Sequence, residues 1–366
     1  MVRLLGQFVR CESPSHRKEA VDRFGRLVAA EWRRRGAQVR LLRQKKLGDH
    51  VRAELNLGAG RTAGQILVIG HLDTVYPLAT LDRMPFRTRG GKAFGPGAFD
   101  MKGGLVLALY AADALRALKI CPAKRLVFLW TSDEEIGSFT SRRIIEREAR
   151  RSDAVLVLEP AFGTQGKLKT TRKGCGGLEI TVTGRSAHAG IDPEKGVNAV
   201  HELALQIARL LKMNDPSRGI TVQSTVIAGG TIANVVPDSA RAEVDVRCRR
   251  LADAPALSRA LRGLRPILRG ARLEIRGGID RPPLERTAAV AKLFHHAQSL
   301  MRAVGLPLGE ASTGGGSDGC FTAAHGVPTL DGLGAVGDGA HSPREHVLIR
   351  ALPERAALIA ALLATL

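Results

Sequence analysis

The chain has 366 residues, 55 of them Lys or Arg against 35 Asp or Glu, for a formal net charge of +20. Hydrophobic residues make up 44%, so the length supports two domains with a large buried core. No apolar run is long enough to span a bilayer, and the N-terminus lacks the apolar stretch of a signal peptide.

The pI near 10.7 raises the question of a nucleic-acid partner. The basic residues, however, are spread over amphipathic helical stretches such as Glu31-Trp-Arg-Arg-Arg35, and aromatics are only 4%, which leaves few stacking platforms. A solvated basic surface that draws in an acidic substrate is the better reading, and nucleic acid is not expected as a partner. The five cysteines (Cys11, Cys121, Cys175, Cys248, Cys320) are odd in number, with no C-x-x-C pair, which predicts reduced thiols in a cytoplasmic protein.

In chain order, residues 1–36 read as an amphipathic helix, a turn at Glu12–Ser15 and a longer helix from Arg17 to Arg35. Val39–Leu42 and Val51–Leu57 predict a hairpin. Ile66–Ile69, four apolar residues between Gly64 and Gly70, predicts a fully buried strand. A Gly/Pro turn (Gly95, Pro96, Gly97) carries Asp100 ahead of a helix over Gly104–Leu118. Arg125–Thr131 and Ala154–Leu158 are two more buried strands, with a helix between them that ends near Arg150. Apolar strands alternating with helices predict a parallel or mixed sheet covered on both faces, with its ligand site beyond the carboxyl ends of the strands.

From Gly174 the texture changes. Strands at Gly177–Gly184, Ile220–Ala228, Arg241–Arg247 and Arg272–Arg276, with helices at Asn198–Leu211 and Ala252–Leu264, give the order βαββαβ. That order is ferredoxin-like, inserted over 173–283 between outer-domain parts 1–172 and 284–366. A helix over Thr287–Val304, the loop Ser312–Gly319, another helix, a short strand at Val327–Leu330 and the loop Gly334–Arg344 complete the outer domain.

The chemistry-bearing residues gather at strand ends. His71 and Asp73 lie two apart in extended chain and point to one side, so His71 can ligate a metal while Asp73 accepts its other ring N–H. Asp100, the pair Glu134 and Glu135, Glu159 and the distant His341 complete the set. Two divalent metals sharing one carboxylate need about this complement: an imidazole and a carboxylate each, a bridge, and a spare carboxylate to act on water. Imidazole and carboxylate donors suit zinc, with cobalt or manganese as substitutes. One of Glu134 and Glu135 would ligate and the other take a proton from water. The competing explanation of Asp133-Glu134-Glu135 is a charge cluster at a helix N-terminus.

The motifs GHLDTV, GPGAFDMKGG, TSDEEIGS, LEP, GRSAHAG, GGGSD and GDGAHSPREH fall in order along the chain. Together they resemble the co-catalytic zinc exopeptidase and deacylase family of glutamate carboxypeptidase, succinyl-diaminopimelate desuccinylase and acetylornithine deacetylase. RKG, ITVTGRSAHAG, NVVPDSARAEVDVR and RPPLE are most similar to glutamate carboxypeptidase. The resemblance implies a mixed-sheet α/β/α catalytic domain of zinc-exopeptidase type, with the inserted ferredoxin-like domain as lid and dimerisation element. It assigns His71 and Glu159 to one of two zinc ions per subunit, Glu135 and His341 to the other, and Asp100 to the bridge, with a cis peptide at Asp100-Met101. Asp73 would orient His71, Glu134 would be the general base, and His188 would reach the partner subunit's active site in a homodimer. Arg247, Asn234 and Gly315 would bind the substrate carboxylate.

The implied activity is hydrolysis of an amide bond beside a free carboxylate, on a peptide or an N-acyl amino acid. The alternatives are a deacylase of acetylornithine or succinyl-diaminopimelate type and a non-catalytic basic binding protein. Cys175 departs from the family's small hydroxylated residue, which puts a substrate hydrogen bond there in question. The chain also begins inside the implied first helix, so a truncated or misassigned start is expected.

Overall fold

The computed structural model describes residues 1–58 and 64–366. They form two compact units, the first from Met1–Thr171, Arg286–Thr313 and Ser317–Leu366, the second from Arg172–Glu285 with Gly314–Gly316. No helix among the described residues is long and apolar enough to cross a membrane.

In the first unit the six strands of the central sheet, among the described residues, run in the order Gln38–Leu42, His50–Leu55, Arg125–Thr131, Gln65–His71, Ala154–Val157 and Thr329–Leu330. The last four are mutually parallel, and His50–Leu55 is antiparallel to both of its neighbours, which makes the sheet mixed. Alternation of side chains explains the continuous apolar run of the middle strand. Ile66 and Val68 face a layer that includes Phe8, Phe24, Trp32, Leu105 and Leu358, whereas Leu67 and Ile69 face Ile145, Ala149 and Phe321. Helices therefore cover both faces: Val2–Arg10, Lys18–Arg34, Gly103–Ala117 and Ala351–Thr365 on one, Arg142–Ala149 and Gly319–Ala324 on the other. This is the α/β/α arrangement that the alternating pattern predicts. His71 pairs with Thr131 in register, and Ile69 with Val157, so three strand ends deliver their following loops to one edge.

Two features depart from expectation. The C-terminal helix Ala351–Thr365 is not anticipated, because its Ala/Leu-rich run has no clear polar face. It buries Leu352, Leu358, Ile359, Leu362 and Leu363, which removes the need for one. A small antiparallel sheet of Gly337–Asp338, His346–Leu348, Lys92–Phe94 and Arg87–Arg89 is also new. Its strands are two or three residues long, and its middle pair meets across some 250 positions of sequence, so no local pattern announces the sheet.

The second unit has a four-stranded antiparallel sheet ordered Thr221–Gly229, Ser239–Cys248, Gly174–Thr183, Arg272–Arg281. Alternate residues Ala240, Ala242, Val244 and Val246 are buried beneath the helices Ala199–Leu211 and Ala254–Arg262, where they meet Leu203, Leu210, Leu257 and Leu261. The last strand runs beyond the expected Arg276 to Arg281, with a bulge between Ile279 and Arg281.

Candidate metal centre

Asp100 stands between two histidines in the first unit. Its Oδ1 is 3.2 Å from His71 Nε2 and its Oδ2 is 3.4 Å from His341 Nε2. Glu159 Oε1 lies 3.5 Å from the same His71 nitrogen, and Glu135 Oε2 lies 3.2 Å from His341 Nε2. Donor atoms of His71, Glu134 and Glu159 fall within 4.8 Å of one another, as do those of His71, Asp100 and Glu135. The sequence-predicted set is thus brought together from four loops and one distant turn. His341 holds a left-handed backbone at φ 59° on its turn, a conformation found more often for His than for most non-glycine residues. The Asp100-Met101 peptide is cis.

The ionisation of these groups follows from their crowding. Burial alone would lower the His71 pKa, but hydrogen bonds that its ring gives to Asp100 and Glu159 raise it well above its ordinary value. Asp100 and Glu135 raise His341 to about 10. Burial pushes Glu135 up to about 7, against the pull of His341. The Asp100 carboxyl is pulled below the usual carboxylate range by His341 and His71, in spite of its own burial. Carboxylates that raise the pKa of two imidazoles mark an excess of negative charge, which a divalent cation matches. Glu135 Oε1 is buried with no hydrogen-bond partner among the described residues, and a donor-less buried acceptor costs about 1–3 kcal/mol. The donor set and this oxygen fit a metal pair of imidazole–carboxylate type.

The shell around these donors differs in one detail from expectation. The nearest acceptor to His71 Nδ1 is the main-chain carbonyl of Asp73 at 2.9 Å, with the Asp73 carboxylate farther off at 3.6 Å. Either contact leaves Nε2 facing the carboxylates, as ligation requires. The Asp73 carboxylate instead accepts the Ser15 hydroxyl at 2.8 Å and the Glu134 and Glu135 main-chain N–H groups at 3.2 Å each. Burial raises its pKa to about 6. Asp73 therefore steadies the two glutamates, a use of its carboxylate that the H-x-D spacing does not reveal.

Sequence reading also missed Asp318 and Glu345. Buried Asp318 accepts Thr131 Oγ1 at 2.9 Å and the Ser138 hydroxyl, so it brackets the loop that carries Glu134 and Glu135. Glu345 accepts three main-chain N–H groups of the Asp100 turn. Each lies inside a quoted motif, GGGSD or AHSPREH, and a carboxylate amid such motifs was the available signal.

In the second unit His188 and Asn234 are neighbours. His188 bridges to Val235, and the Ala189 N–H donates to the Asn234 carbonyl at 2.9 Å. His188 Nδ1 accepts the Gly190 and Ile191 N–H groups at 3.1 Å each, which leaves Nε2 as the donor of the neutral ring. Arg247 does not present an unoccupied fork. Its Nε and Nη2 grip Asp245 at 2.9 and 2.7 Å, and Nη1 donates to the Gly314 carbonyl at 3.2 Å. Buried Arg172 donates to the carbonyls of Gly315 and Gly316 at 3.1 and 2.9 Å, so the glycine loop is pinned from its main chain.

Residues 67–365 match the model of Peptidase family M20/M25/M40. Carboxypeptidase G2 of Pseudomonas sp. (strain RS-16) is 32% identical over 369 residues, covering 99% of this chain and 88% of that protein. Succinyl-diaminopimelate desuccinylase of Dechloromonas aromatica (strain RCB) is 29% identical over 332 residues, 82% of each chain. The crystal structure of aminopeptidase PepT from Bacillus cereus ATCC 10987 matches with a TM-score of 0.79 at 20% identity, over 99% of this chain and 97% of that one. The two share a fold.

Proposed function

The chain belongs to peptidase family M20/M25/M40 and is a hydrolase of metallopeptidase or amidohydrolase type, and on that premise we propose that it cleaves an amide bond beside a free carboxylate, as a glutamate carboxypeptidase-like exopeptidase. The observation that carries the reading is Asp100, with one carboxylate oxygen turned to each of two histidines that carboxylates flank in turn. His71 and Glu159 would hold one divalent ion, Glu135 and His341 a second, and Asp100 would be shared. Zinc suits that donor set, with cobalt or manganese as substitutes. Such ions, when bound, polarise a carbonyl and make water a stronger acid.

Glu134 is the proposed general base. It takes a proton from the attacking water and returns it to the amine nitrogen as the C–N bond breaks. Asp73 fixes the Glu134 main chain while this happens. His188, acting on the partner subunit of a homodimer joined through the inserted domain, donates from Nε2 to the carbonyl oxygen as negative charge builds there. Arg247, Asn234 and Gly315 would receive the substrate carboxylate. The pairing with Asp245 means that the carboxylate must share the Arg247 fork or displace that aspartate.

The similarity to a desuccinylase favours a second reading, an N-acyl amino acid deacylase. Metal content measured together with a panel of C-terminal glutamate peptides and N-acetyl and N-succinyl amino acids separates the two. Chelator-sensitive glutamate release supports the carboxypeptidase, and turnover of the acyl panel alone moves the assignment to the deacylase. No metal uptake and no turnover defeats both. Light scattering that finds a fully active monomer removes the role of His188 across subunits.

A further inference from the structure

We propose that Glu345 is a positioning residue for the metal centre, which sets the place of Asp100 by holding its turn from the His341 side; this rests on reading the site as a metal centre. The side chain is wholly buried. Its Oε2 accepts the Gly97 N–H at 2.9 Å, and its Oε1 accepts the N–H groups of Phe99 and Asp100 at 2.8 and 2.9 Å. These amides belong to the irregular turn before the helix Gly103–Ala117, where Asp100 and Met101 are non-helical. A carboxylate some 245 residues downstream thus supplies the acceptors that the turn lacks.

The anchor is itself fixed. His346, Val347 and Leu348 pair in register with Phe94, Ala93 and Lys92, and the Gly95 N–H donates to the Glu345 carbonyl. The Glu345 N–H closes a turn on the Ser342 carbonyl at 3.1 Å, next to His341. Tyr76, five residues beyond His71, donates its hydroxyl to that same Ser342 carbonyl at 3.1 Å. The loops of His71, Asp100 and His341 therefore meet on one carboxylate and one phenol.

A buried carboxylate is costly, the more so beside the carboxylates of the site. Three charge-assisted hydrogen bonds from the amides of Gly97, Phe99 and Asp100 give it a specific use: they fix the Asp100 main chain, hence the reach of its two oxygens. Glutamine has the same shape but only one acceptor oxygen. Glu345→Gln must leave either Gly97 or the Phe99–Asp100 pair facing an amide donor.

The test is calorimetric titration of the chelator-treated protein with Zn2+ and with Co2+, comparing wild type, Glu345→Gln and Tyr76→Phe. The visible Co2+ spectrum and the thermal unfolding of the same chelated samples are recorded alongside. Glu345→Gln should bind metal about 10–100-fold more weakly, with an altered Co2+ spectrum and an unfolding midpoint within a few degrees of wild type. Tyr76→Phe should move affinity the same way by a smaller factor. Wild-type affinity and spectrum in Glu345→Gln overturn the proposal. If that variant fails to fold, Tyr76→Phe decides on the same criterion. A wild-type protein that takes up no metal defeats the metal-centre reading itself, a result distinct from variants that bind as wild type does.

Discussion

Replacing His50 by glutamine should flatten the acid limb of the stability curve. His50 is fully buried at the start of the strand His50–Leu55. Its Nδ1 accepts the Ser132 N–H at 3.2 Å, and its Nε2 faces Thr140 Oγ1 at 3.1 Å. The Thr140 hydroxyl gives its own proton to Asp133 Oδ2 at 2.8 Å, so Nε2 must be the donor and the ring is neutral. Protonation of Nδ1 would deprive the Ser132 N–H of its acceptor. Burial lowers the His50 pKa, outweighing the opposite pull of Asp133 and Asp49, while nearby Lys18 also lowers it. With the folded value below the unfolded one, the unfolded chain binds the extra proton first. The stabilisation is therefore complete above about pH 6.5 and declines as pH falls from there to the folded pKa, by up to about 1.4 kcal/mol per pH unit. Glutamine keeps one donor and one acceptor in place and does not titrate. Urea unfolding of the chelated wild type and His50→Gln between about pH 7.5 and 5.5 should show the wild type losing stability more steeply by one proton's slope. Equal slopes would refute the neutral, buried assignment.

Three further outcomes follow from the geometry. Glu134→Gln should lower kcat by about 10²–10⁴-fold with metal content unchanged; metal lost in parallel would make Glu134 a ligand instead. Asp318→Asn turns one of the two oxygens that accept the Thr131 and Ser138 hydroxyls into a donor and should cost about 1–3 kcal/mol. It is read as a lower urea midpoint with a reduced kcat, and an unchanged midpoint counts against the bracket. Gly104→Ala places a Cβ 2.4 Å from the Leu158 carbonyl oxygen and 2.9 Å from Met101 Cε. Overpacking of that kind costs about 1–3 kcal/mol, and a normal unfolding midpoint would show that the helix start has room to shift.

Much of the first unit was legible because its signals are local. Four apolar residues bounded by glycines are too short a run for a helix and read as a strand buried on both faces, and Ile66–Ile69 is one. The same holds for Arg125–Thr131, whose bounds match the structure residue for residue. Metal-ligand candidates were legible for a related reason: only a few side-chain types bind divalent ions, and they stood at strand ends. The second unit's βαββαβ order could be read from alternation at period two, as in Ser239–Cys248.

The sequence by itself determined which residue types could do chemistry and which segments could be buried. Tertiary structure decided which partner each group meets. Asp73 looked like the partner of His71 because they are two residues apart, yet its carboxylate spends its hydrogen bonds on Ser15, Glu134 and Glu135, up to 62 positions away. Arg247 was expected to receive the substrate carboxylate, and Asp245, two residues earlier on the same face of its strand, already holds that fork. Glu345 stood inside a motif, but its task could not be read there, because the amides it satisfies only become its neighbours once the strand His346–Leu348 pairs with Lys92–Phe94. Hydrogen bonds are short and directional, so their pairing depends on placement to a fraction of an ångström. Hydrophobic burial tolerates much looser placement, and its periodicity is written along the chain.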